Sequence, residues 1–182
     1  MGSLDTCSTI KTHLGYMRAL CSARGLTRLV WQQQPFDNSD SQESDVSRET
    51  ITQLSAYLAG QLTTFTIPLD LSSRSPAAQR WLAVMASVPY GQTISYTDFA
   101  ALWGNKKASR AAGFACQQNP IPIILPCHRI VQSSGGYDNY SGGDSSHPKD
   151  PNNISRKQWL IEMEALNSYL FICSKKSSFV FE

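Results

Sequence analysis

Cys127, His128 and Arg129 are consecutive, so that a nucleophile, a base and a cation stand side by side after Pro126. A thiol in an electropositive setting has a lowered pKa and a larger thiolate fraction, which makes it reactive. The alternative is a buried, inert cysteine, the commoner environment of an isolated thiol. The triplet alone does not decide between these two, so the surrounding residues matter.

A carboxylate further along the chain is spaced to complete a relay. Residues 154–166 are predicted to form an amphipathic helix, and four apolar side chains are expected to pack inward: Trp159, Leu160, Met163 and Leu166. Glu164 falls one turn beyond Leu160 on this apolar side, where an unpaired carboxylate is costly. His128 is the expected partner, because a carboxylate–histidine–thiol relay is a general way to activate a cysteine.

Two segments of small residues indicate a flat ligand or a close neighbour. Residues 139–143, NYSGG, offer backbone N–H donors beside an aromatic ring, which suits a pocket for a planar heteroaromatic group. Residues 108–116, within a helix predicted from Lys106 to Gln117, leave little side chain on any face. Such a helix either packs tightly against others or approaches a nucleic-acid groove, with Arg110 as the one large cation able to enter the base stack.

The first seventy residues are predicted to form a small α+β unit. Two strands are expected within residues 14–31, whereas residues 32–48 are polar and aperiodic and are predicted to be a surface loop. A helix is predicted over 49–60 and a further strand over 65–69. The helix presents four apolar side chains on one face: Ile51, Leu54, Tyr57 and Leu58.

Capping residues predict three helices in the second part of the chain. Ser75 and Pro76 suit the N-cap and the first position of one helix. Ser95 suits the N-cap of a second helix, which Gly104 would end. The third helix follows directly, and two helices joined by a tight glycine turn have the spacing of a helix-turn-helix.

Composition limits the class of protein. With 182 residues, 41% apolar and 16% charged, the chain should fold. No stretch reaches the roughly 18–20 apolar residues of a membrane helix, and the first residues lack the apolar segment of an export signal, so an intracellular protein is expected. A boundary near residues 72–76 would divide the chain into domains 1–74 and 75–182. Residues 76–143 carry five Lys or Arg against two Asp, a mild indication of an anionic partner.

The cysteines predict free thiols rather than a disulfide framework. They number five, an odd count, and no two are spaced as CxxC. A structural metal held by Cys7, His13 and Cys21 is conceivable, but the spacing is unlike that of known zinc sites.

Several segments together resemble the methylated-DNA–protein-cysteine methyltransferases, also called 6-O-alkylguanine-DNA alkyltransferases. They are ILPCHRIV around Cys127, NYSGG, RKQWLIEME at 156–164, the SRAAG helix and LSAYLAGQLTTFTIPLDL in the first part of the chain. The resemblance implies an α/β (α+β) fold. A small N-terminal sheet-plus-helix domain of ribonuclease H-like type would precede a mostly helical C-terminal domain with the helix-turn-helix.

The resemblance also implies a reaction and its residues. A methyl or other alkyl group would pass from the 6-oxygen of guanine in DNA, or alternatively the 4-oxygen of thymine, to Cys127, irreversibly and once per molecule. His128 would act as a base through a water, and Glu164 would orient it. Asn119 would link the recognition helix to the active site as a hinge residue. Tyr96 would support the target phosphate and donate toward the guanine ring nitrogen.

Contacts with DNA and with the target base are implied in the same way. Arg110 would replace the extruded nucleotide in double-stranded DNA, and its neighbours would follow the minor groove: Ser109, Ala111, Ala112 and Gly113. The implied base pocket contains Ile130, Tyr140, Ser141 and Cys116, with the backbone carbonyls of Cys127 and Ile130 reading the exocyclic amine. No metal, organic cofactor or membrane is expected. A monomer is expected, in the cytoplasm of a prokaryote or the nucleus of a eukaryote.

Two other functions are kept as alternatives. A non-catalytic module that binds lesions and signals to another repair pathway would use the helix-turn-helix but leave Cys127 unexplained. A Cys-His-Glu hydrolase or acyltransferase would leave the DNA-binding elements unexplained. Two features depart from the family pattern: Ala78 replaces a usual aromatic, and residues 144–155 are a longer connection than usual.

Overall fold

A computed structural model describes residues 5–37, 41–137, 140, 142 and 149–176, with side chains described as far as residue 170. The chain begins with an antiparallel sheet in the order β1 (Thr6–Thr12), β2 (Gly15–Ser22) and β3 (Gly25–Gln32). Helix α1 (Asp45–Leu58) packs on one face of this sheet. A small antiparallel sheet followed by helices is the expected mixed fold class.

The sequence prediction missed β1 because this strand lacks apolar alternation. Its core-facing Thr6 and Ser8 are polar, and they are satisfied by hydrogen bonds to the start of α1. Thr6 Oγ1 donates to Ser44 Oγ at 2.8 Å, and Ser8 Oγ lies 2.8 Å from Ser47 Oγ. The two buried side chains are the adjacent Cys7 and Ser8, so hydrophobic periodicity cannot reveal this strand, and the Ser8 hydroxyl is satisfied by another element.

The strand predicted over residues 65–69 is wrong. Only an isolated bridge joins Leu26 to Leu69 there. Pro68 has no N–H to donate and contributes only its carbonyl, which accepts from Leu26 N at 2.8 Å. A proline at this point prevents the regular ladder that a strand needs.

Helix α1 begins four residues earlier than predicted, inside the supposed loop. Ser44 is the N-cap, and its hydroxyl accepts from Ser47 N while the Ser47 hydroxyl accepts from Ser44 N. This reciprocal capping pair satisfies two backbone donors that would otherwise be unpaired. The helix ends before Gly60, as predicted, and Gly60 has a φ of +73°.

The predicted helical part of the chain is present with small shifts at its ends. Helix α2 (Pro76–Ala86) has Ser75 as N-cap and proline at its first position. Helix α3 (Tyr96–Trp103) is capped by Ser95 and ended by Gly104 at a φ of +115°. Helix α4 (Ser109–Gln117) starts three residues later than predicted, because the Asn105 carbonyl and side chain bond the N–H groups of residues 108 and 107 in a turn.

The last elements surround the cysteine–histidine pair. A 3₁₀ turn, Cys127–Arg129, leads into β5 (Ile130–Val131), which pairs in parallel with β4 (Ile94–Ser95). Helix α5 (Pro151–Lys176) is twice the predicted length. Leu160 packs inward as predicted, but Leu166 is 60% exposed, because α5 extends past the elements that cover its first turns.

One continuous core joins the sheet to the helices. It runs from Met17 and Trp31 through Tyr57 of α1 to Phe99 of α3 and Leu160 of α5, all of them buried. Cys7, Cys21, Cys116 and Cys127 are free thiols, as predicted for these four. Across the ranges that the structure describes, no helix is both long and apolar enough to cross a membrane.

Candidate active site

Cys127 opens the 3₁₀ turn and is held from the end of α4 by one amide side chain. Asn119 Nδ2 donates to Cys127 Sγ at 3.2 Å and to the Leu125 carbonyl at 2.7 Å, while Asn119 Oδ1 accepts from Ile121 N at 3.0 Å. Asn119 therefore fastens α4 to the loop that carries the thiol. The cysteine is only 3% exposed.

The loop before Cys127 has an unusual backbone. Residues 121–125 are not a strand but a buried turn in which Ile123 adopts a φ of +75°. A β-branched residue in the left-handed region is strained by about 1–3 kcal/mol and persists only where its surroundings enforce it. Ile123 is 1% exposed, so tight packing supplies that enforcement and fixes the approach to Cys127.

His128 and Glu164 meet as predicted. His128 Nε2 lies 2.9 Å from Glu164 Oε1, and both side chains are almost completely buried. Arg129 completes the cluster with a bidentate pair, its Nη2 2.9 Å from Oε1 and its Nε 2.9 Å from Oε2. A buried carboxylate needs such partners to remain charged. The Arg129 cation therefore serves Glu164 and not the thiol.

Two further donors reach the same carboxylate. Gly91 N donates to Glu164 Oε2 at 2.9 Å, and the Tyr57 hydroxyl donates to Glu164 Oε1. Gly91 has a φ of +72°, and any side chain there would collide with Ser168. Burial raises the pKa of Glu164, but the hydrogen bonds from His128 and Arg129 and the positive charge of Arg129 outweigh it and lower that pKa to about 2, so the group is a carboxylate at neutral pH.

The tautomer of His128 follows from this arrangement. An ionised carboxylate only accepts hydrogen bonds, so His128 Nε2 must carry the hydrogen that Glu164 receives. His128 Nδ1 then holds the lone pair, and it has no hydrogen-bond partner among the described residues. Burial lowers the pKa of His128, which favours the neutral imidazole that can accept a proton.

The expected lowering of the thiol pKa is not found in the free protein. Burial raises the pKa of Cys127, although the Asn119 hydrogen bond and the positive charge of Lys157 act in the opposite direction. Loss of hydration disfavours a thiolate more than these neighbours favour it. The prediction was wrong because it inferred an electropositive setting from neighbours in sequence, whereas His128 and Arg129 are both turned toward Glu164.

Lys157 is a site residue that the sequence prediction missed. It lies on α5, is 1% exposed, and its Nζ donates to the Ile130 carbonyl at 2.7 Å. A lysine is seldom fully buried without a specific partner. Its spacing was a signal, because Lys157, Leu160 and Glu164 share one helical stripe at intervals of three and four residues.

Tyr96 and two of the predicted pocket residues, Cys116 and Tyr140, are near enough to Cys127 to interact with it electrostatically. Burial and the nearby thiols raise the pKa values of Tyr96 and Tyr140, in part through Cys127. Cys116 is buried on α4 and is also coupled electrostatically to Cys127. Ile130 is buried and directs its carbonyl at Lys157. Ser141 lies outside the described residues.

Tyr140 depends on a neighbouring glycine. It is 2% exposed, and its hydroxyl has no hydrogen-bond partner within the described part of the chain. Any Cβ at Gly142 would collide with the Tyr140 ring. The small residue is therefore required for the aromatic ring to pack beside the cysteine loop.

Helix α4 has one buried face and one exposed face. Arg110 and Ala111 are exposed, Ser109 is half-buried, and Gly113 has open space where a side chain would lie. The prediction for Ala112 needs correction, because its methyl group is fully buried in the core and cannot touch a ligand on this surface.

One exposed aromatic residue on α4 was not predicted from the sequence. Phe114 is 63% exposed, one turn after Arg110. Residues 108–116 are otherwise mostly small, and their composition does not indicate which face Phe114 occupies. Only the orientation of the helix shows that Phe114 faces outward whereas Cys116 faces the core.

The assembled groups can perform a nucleophilic substitution. Cys127 supplies the sulfur, a neutral His128 supplies a proton acceptor at Nδ1, and Glu164 fixes the imidazole through Nε2. Within the described ranges, no group of three or more His, Cys, Asp or Glu side chains is placed to hold a metal ion. The side chains at hand are those of a thiol nucleophile with an acid–base partner.

Two family models match the chain in succession. The one described as 6-O-methylguanine DNA methyltransferase, ribonuclease-like domain, matches residues 6–71. The one described as 6-O-methylguanine DNA methyltransferase, DNA binding domain, matches residues 76–166. Together they span most of the sequence.

Individual proteins agree with the family models. The methylated-DNA–protein-cysteine methyltransferase of Mycobacterium bovis is 35% identical over 159 residues, covering 86% of this chain and 90% of its own. The mouse protein of the same name is 31% identical over 186 residues, covering 89% and 84%. A crystal structure of Mycobacterium tuberculosis OGT in complex with DNA is 34% identical with a TM-score of 0.72, covering 87% of this chain and 92% of that one. Because both family models match and relatives more than 30% identical cover most of the sequence, this chain belongs to the 6-O-methylguanine DNA methyltransferase family.

Proposed function

We propose that the protein repairs DNA by direct reversal, moving a methyl or alkyl group from the 6-oxygen of guanine to Cys127 in one irreversible step. The observation that carries this proposal is the buried set of Cys127, His128 and Glu164, with Nε2 on the carboxylate and Nδ1 left as acceptor. Family membership supports the same reaction. The 4-oxygen of thymine is a second position that the same chemistry could serve.

The reaction balances without a cofactor. The thiol proton passes to His128, directly or through a water, and the thiolate attacks the alkyl carbon in line with the carbon–oxygen bond. A sulfur–carbon bond forms, the carbon–oxygen bond breaks, and its electron pair goes to the guanine. The guanine takes up one proton, which is balanced by the proton that the thiol lost to His128. The product is a thioether that no group in the site can cleave. Each molecule therefore acts once.

Burial keeps the Cys127 thiol protonated, and therefore weakly reactive, until the substrate is bound. The raised pKa of Cys127 keeps the free thiol largely protonated. Charge develops on sulfur and then on the guanine oxygen only as the group transfers, and donors fixed in advance stabilise that charge selectively. Tyr96 would donate toward the ring nitrogen, while the carbonyls of Cys127 and Ile130 would receive the exocyclic amine.

The route to the sulfur requires an extruded base. Cys127 is 3% exposed, so a guanine inside a duplex cannot bring its 6-oxygen to Sγ. Flipping the nucleotide out of the stack costs a few kcal/mol and delivers the base to an enclosed site. The exposed, small-residue face of α4 suits the minor groove of double-stranded DNA, where Arg110 would fill the vacated stack.

We further propose that the protein acts as a monomer in the cellular compartment that contains the DNA. That place is the cytoplasm if the source is a prokaryote and the nucleus if it is a eukaryote. No membrane partner enters this function.

Intact-mass spectrometry after incubation with a duplex containing one 6-O-methylguanine tests the proposal. The protein should gain the mass of one methyl group in place of hydrogen, and peptide mapping should find it on the peptide that contains Cys127. The amount transferred should reach one equivalent and stop. A protein that binds the duplex but keeps its mass would instead be a lesion-binding module, and continued turnover on esters would identify a hydrolase.

Replacing Arg110 by alanine should slow repair of duplex DNA much more than reaction with the free base 6-O-benzylguanine. The expected loss on duplex is about tenfold or more, because the finger stabilises the flipped state and has no role for a base that is already free. Second-order rate constants on the two substrates provide the measurement. Arg28→Ala, which removes an exposed arginine of β3, is the matched control. Equal losses on both substrates for Arg110→Ala would contradict the role of a finger.

A further inference from the structure

Tyr57 connects the N-terminal sheet-and-helix unit to the reactive cluster. It lies on α1, and its hydroxyl donates to Glu164 Oε1 on α5, 107 positions later in the chain. The same hydroxyl oxygen is 3.4 Å from His128 Nε2. Tyr57 and His128 are both 0% exposed and Glu164 is 1% exposed, so water does not compete for these hydrogen bonds.

We propose that Tyr57 is a positioning residue for alkyl transfer, because its hydroxyl fixes the Glu164 carboxylate against His128 and so maintains the tautomer that accepts the Cys127 proton. This inference rests on the proposed function. Tyr57 touches neither the sulfur nor the substrate in this scheme, and it acts through Glu164 and His128.

The hydrogen-bond directions support this role. Glu164 is ionised and accepts, so Tyr57 must donate its one O–H to Oε1 and His128 must donate Nε2–H to the same atom. With Nε2 occupied in this way, the lone pair of the imidazole is left on Nδ1. Without the Tyr57 hydroxyl, Arg129 and Gly91 still hold the carboxylate beside His128. Its less neutralised negative charge then favours a doubly protonated imidazole, which has no lone pair for the thiol proton.

The Tyr57 side chain is itself held rigidly. Its ring centroid lies 5.1 Å from that of Phe65 and 5.9 Å from that of Tyr90, with the latter pair at 88°. Packed aromatic rings of this kind restrict rotation. The hydroxyl is therefore presented from a fixed point, as preorganisation of a reactive group requires.

The electrostatics around His128 predict a change in pH dependence when the hydroxyl is lost. Five groups face or neighbour its ring: Glu164 and Lys157 on α5, Tyr57 on α1, and Arg129 and Cys127 in the 3₁₀ turn. Burial lowers the pKa of His128, Glu164 raises it, and the Arg129 and Lys157 cations lower it. The Tyr57 O–H takes up part of the negative charge that Glu164 would otherwise direct at the imidazole. Removing it should strengthen the pairing of Glu164 with a protonated imidazole and raise the pKa of His128.

Tyr57→Phe in the full-length chain is the test. We expect the second-order rate constant for methyl transfer from a 6-O-methylguanine duplex to fall about tenfold at pH 7, in the range that loss of an orienting partner produces. Only the neutral imidazole accepts the thiol proton, so the rate falls as pH drops through the pKa of His128. The midpoint of this acidic limb should therefore move to higher pH. Duplex affinity should stay within about twofold, because Tyr57 is buried on α1 and forms no part of the exposed surface of α4.

Tyr90→Phe is the matched control, because it removes a neighbouring hydroxyl that bonds to Met163 Sδ and Asn167 instead of Glu164. It should leave the rate and the midpoint unchanged. A loss of stability alone would reduce the active fraction of Tyr57→Phe equally at every pH and leave the midpoint in place, a result that would overturn the inference. A wild-type rate and midpoint for Tyr57→Phe would also overturn it. If the wild-type protein transfers no methyl group, the proposed function itself fails.

Discussion

Replacing Cys127 by serine should abolish alkyl transfer and leave duplex binding within about twofold of the wild-type affinity. A serine side chain is only slightly smaller than that of cysteine. Asn119 Nδ2, which lies 3.2 Å from Sγ in the wild-type protein, can still donate to the serine hydroxyl. The serine hydroxyl, however, stays protonated at neutral pH and is a weak nucleophile without strong activation. The chemistry should be lost because the reacting atom is lost, while the surface of α4 is untouched.

Intact mass after incubation with the methylated duplex measures transfer, and fluorescence anisotropy of a labelled duplex measures binding. Cys7→Ser is the matched control: Cys7 of β1 is also buried, but its thiol donates a hydrogen bond to the Ser41 hydroxyl in the segment before α1. That variant should still gain one methyl group. Transfer by Cys127→Ser to any other cysteine would contradict the assignment, and loss of binding together with transfer would show that the thiol has a structural role.

Glu164→Gln is expected to cause the largest loss of stability among single changes in the cluster. The amide keeps the volume but removes the negative charge that pairs with buried Arg129. Leaving a buried charge uncompensated costs about 3–5 kcal/mol of unfolding free energy. For a chain of this size, that loss should lower the melting temperature by roughly 6–20 °C. Transfer should also slow, because the amide can turn its nitrogen toward His128 and no longer defines the tautomer.

Differential scanning calorimetry measures the first effect, and the rate of methyl transfer well below the lowered melting temperature measures the second. Glu162→Gln provides the comparison, since Glu162 is exposed on the same helix and bonds only with Gln158 among the hydrogen bonds found for it. It should shift the melting temperature by no more than about 2 °C. An unchanged melting temperature for Glu164→Gln would mean that Arg129 does not need this carboxylate.

Local sequence determined where α2 and α3 lie, because their ends are specified by neighbouring residues. Ser75 with Pro76, and Ser95 with Gly104, mark the ends of α2 and α3 that the structure shows. Each cap involves groups within four residues of one another, so the sequence contains all the information needed. Strand β1 illustrates the limit, because its buried Ser8 is paired with Ser47 near the start of α1, far along the chain. The wrong strand at 65–69 is a different case, because the proline that prevents a regular ladder is present in the local sequence itself.

The chemistry of the site was predictable where two residues had an unusual setting in the sequence itself. Cys127 beside His128 indicated a nucleophile, and Glu164 on an apolar stripe required a buried partner. The contact between His128 Nε2 and Glu164 Oε1 at 2.9 Å agrees with that requirement. Lys157 could have been found by the same reasoning, since it also lies on the buried stripe of α5.

Tertiary structure alone decided the electrostatics. Arg129 is two positions from the thiol in sequence but pairs with Glu164, and Tyr57 reaches that carboxylate from α1. Consecutive side chains in a turn point in different directions, and the pKa of each group depends on its burial and on all charges near it in space. The identity of the reacting atoms is therefore a property of the chain, whereas the pKa of the thiol and the proton-accepting form of His128 are properties of the fold.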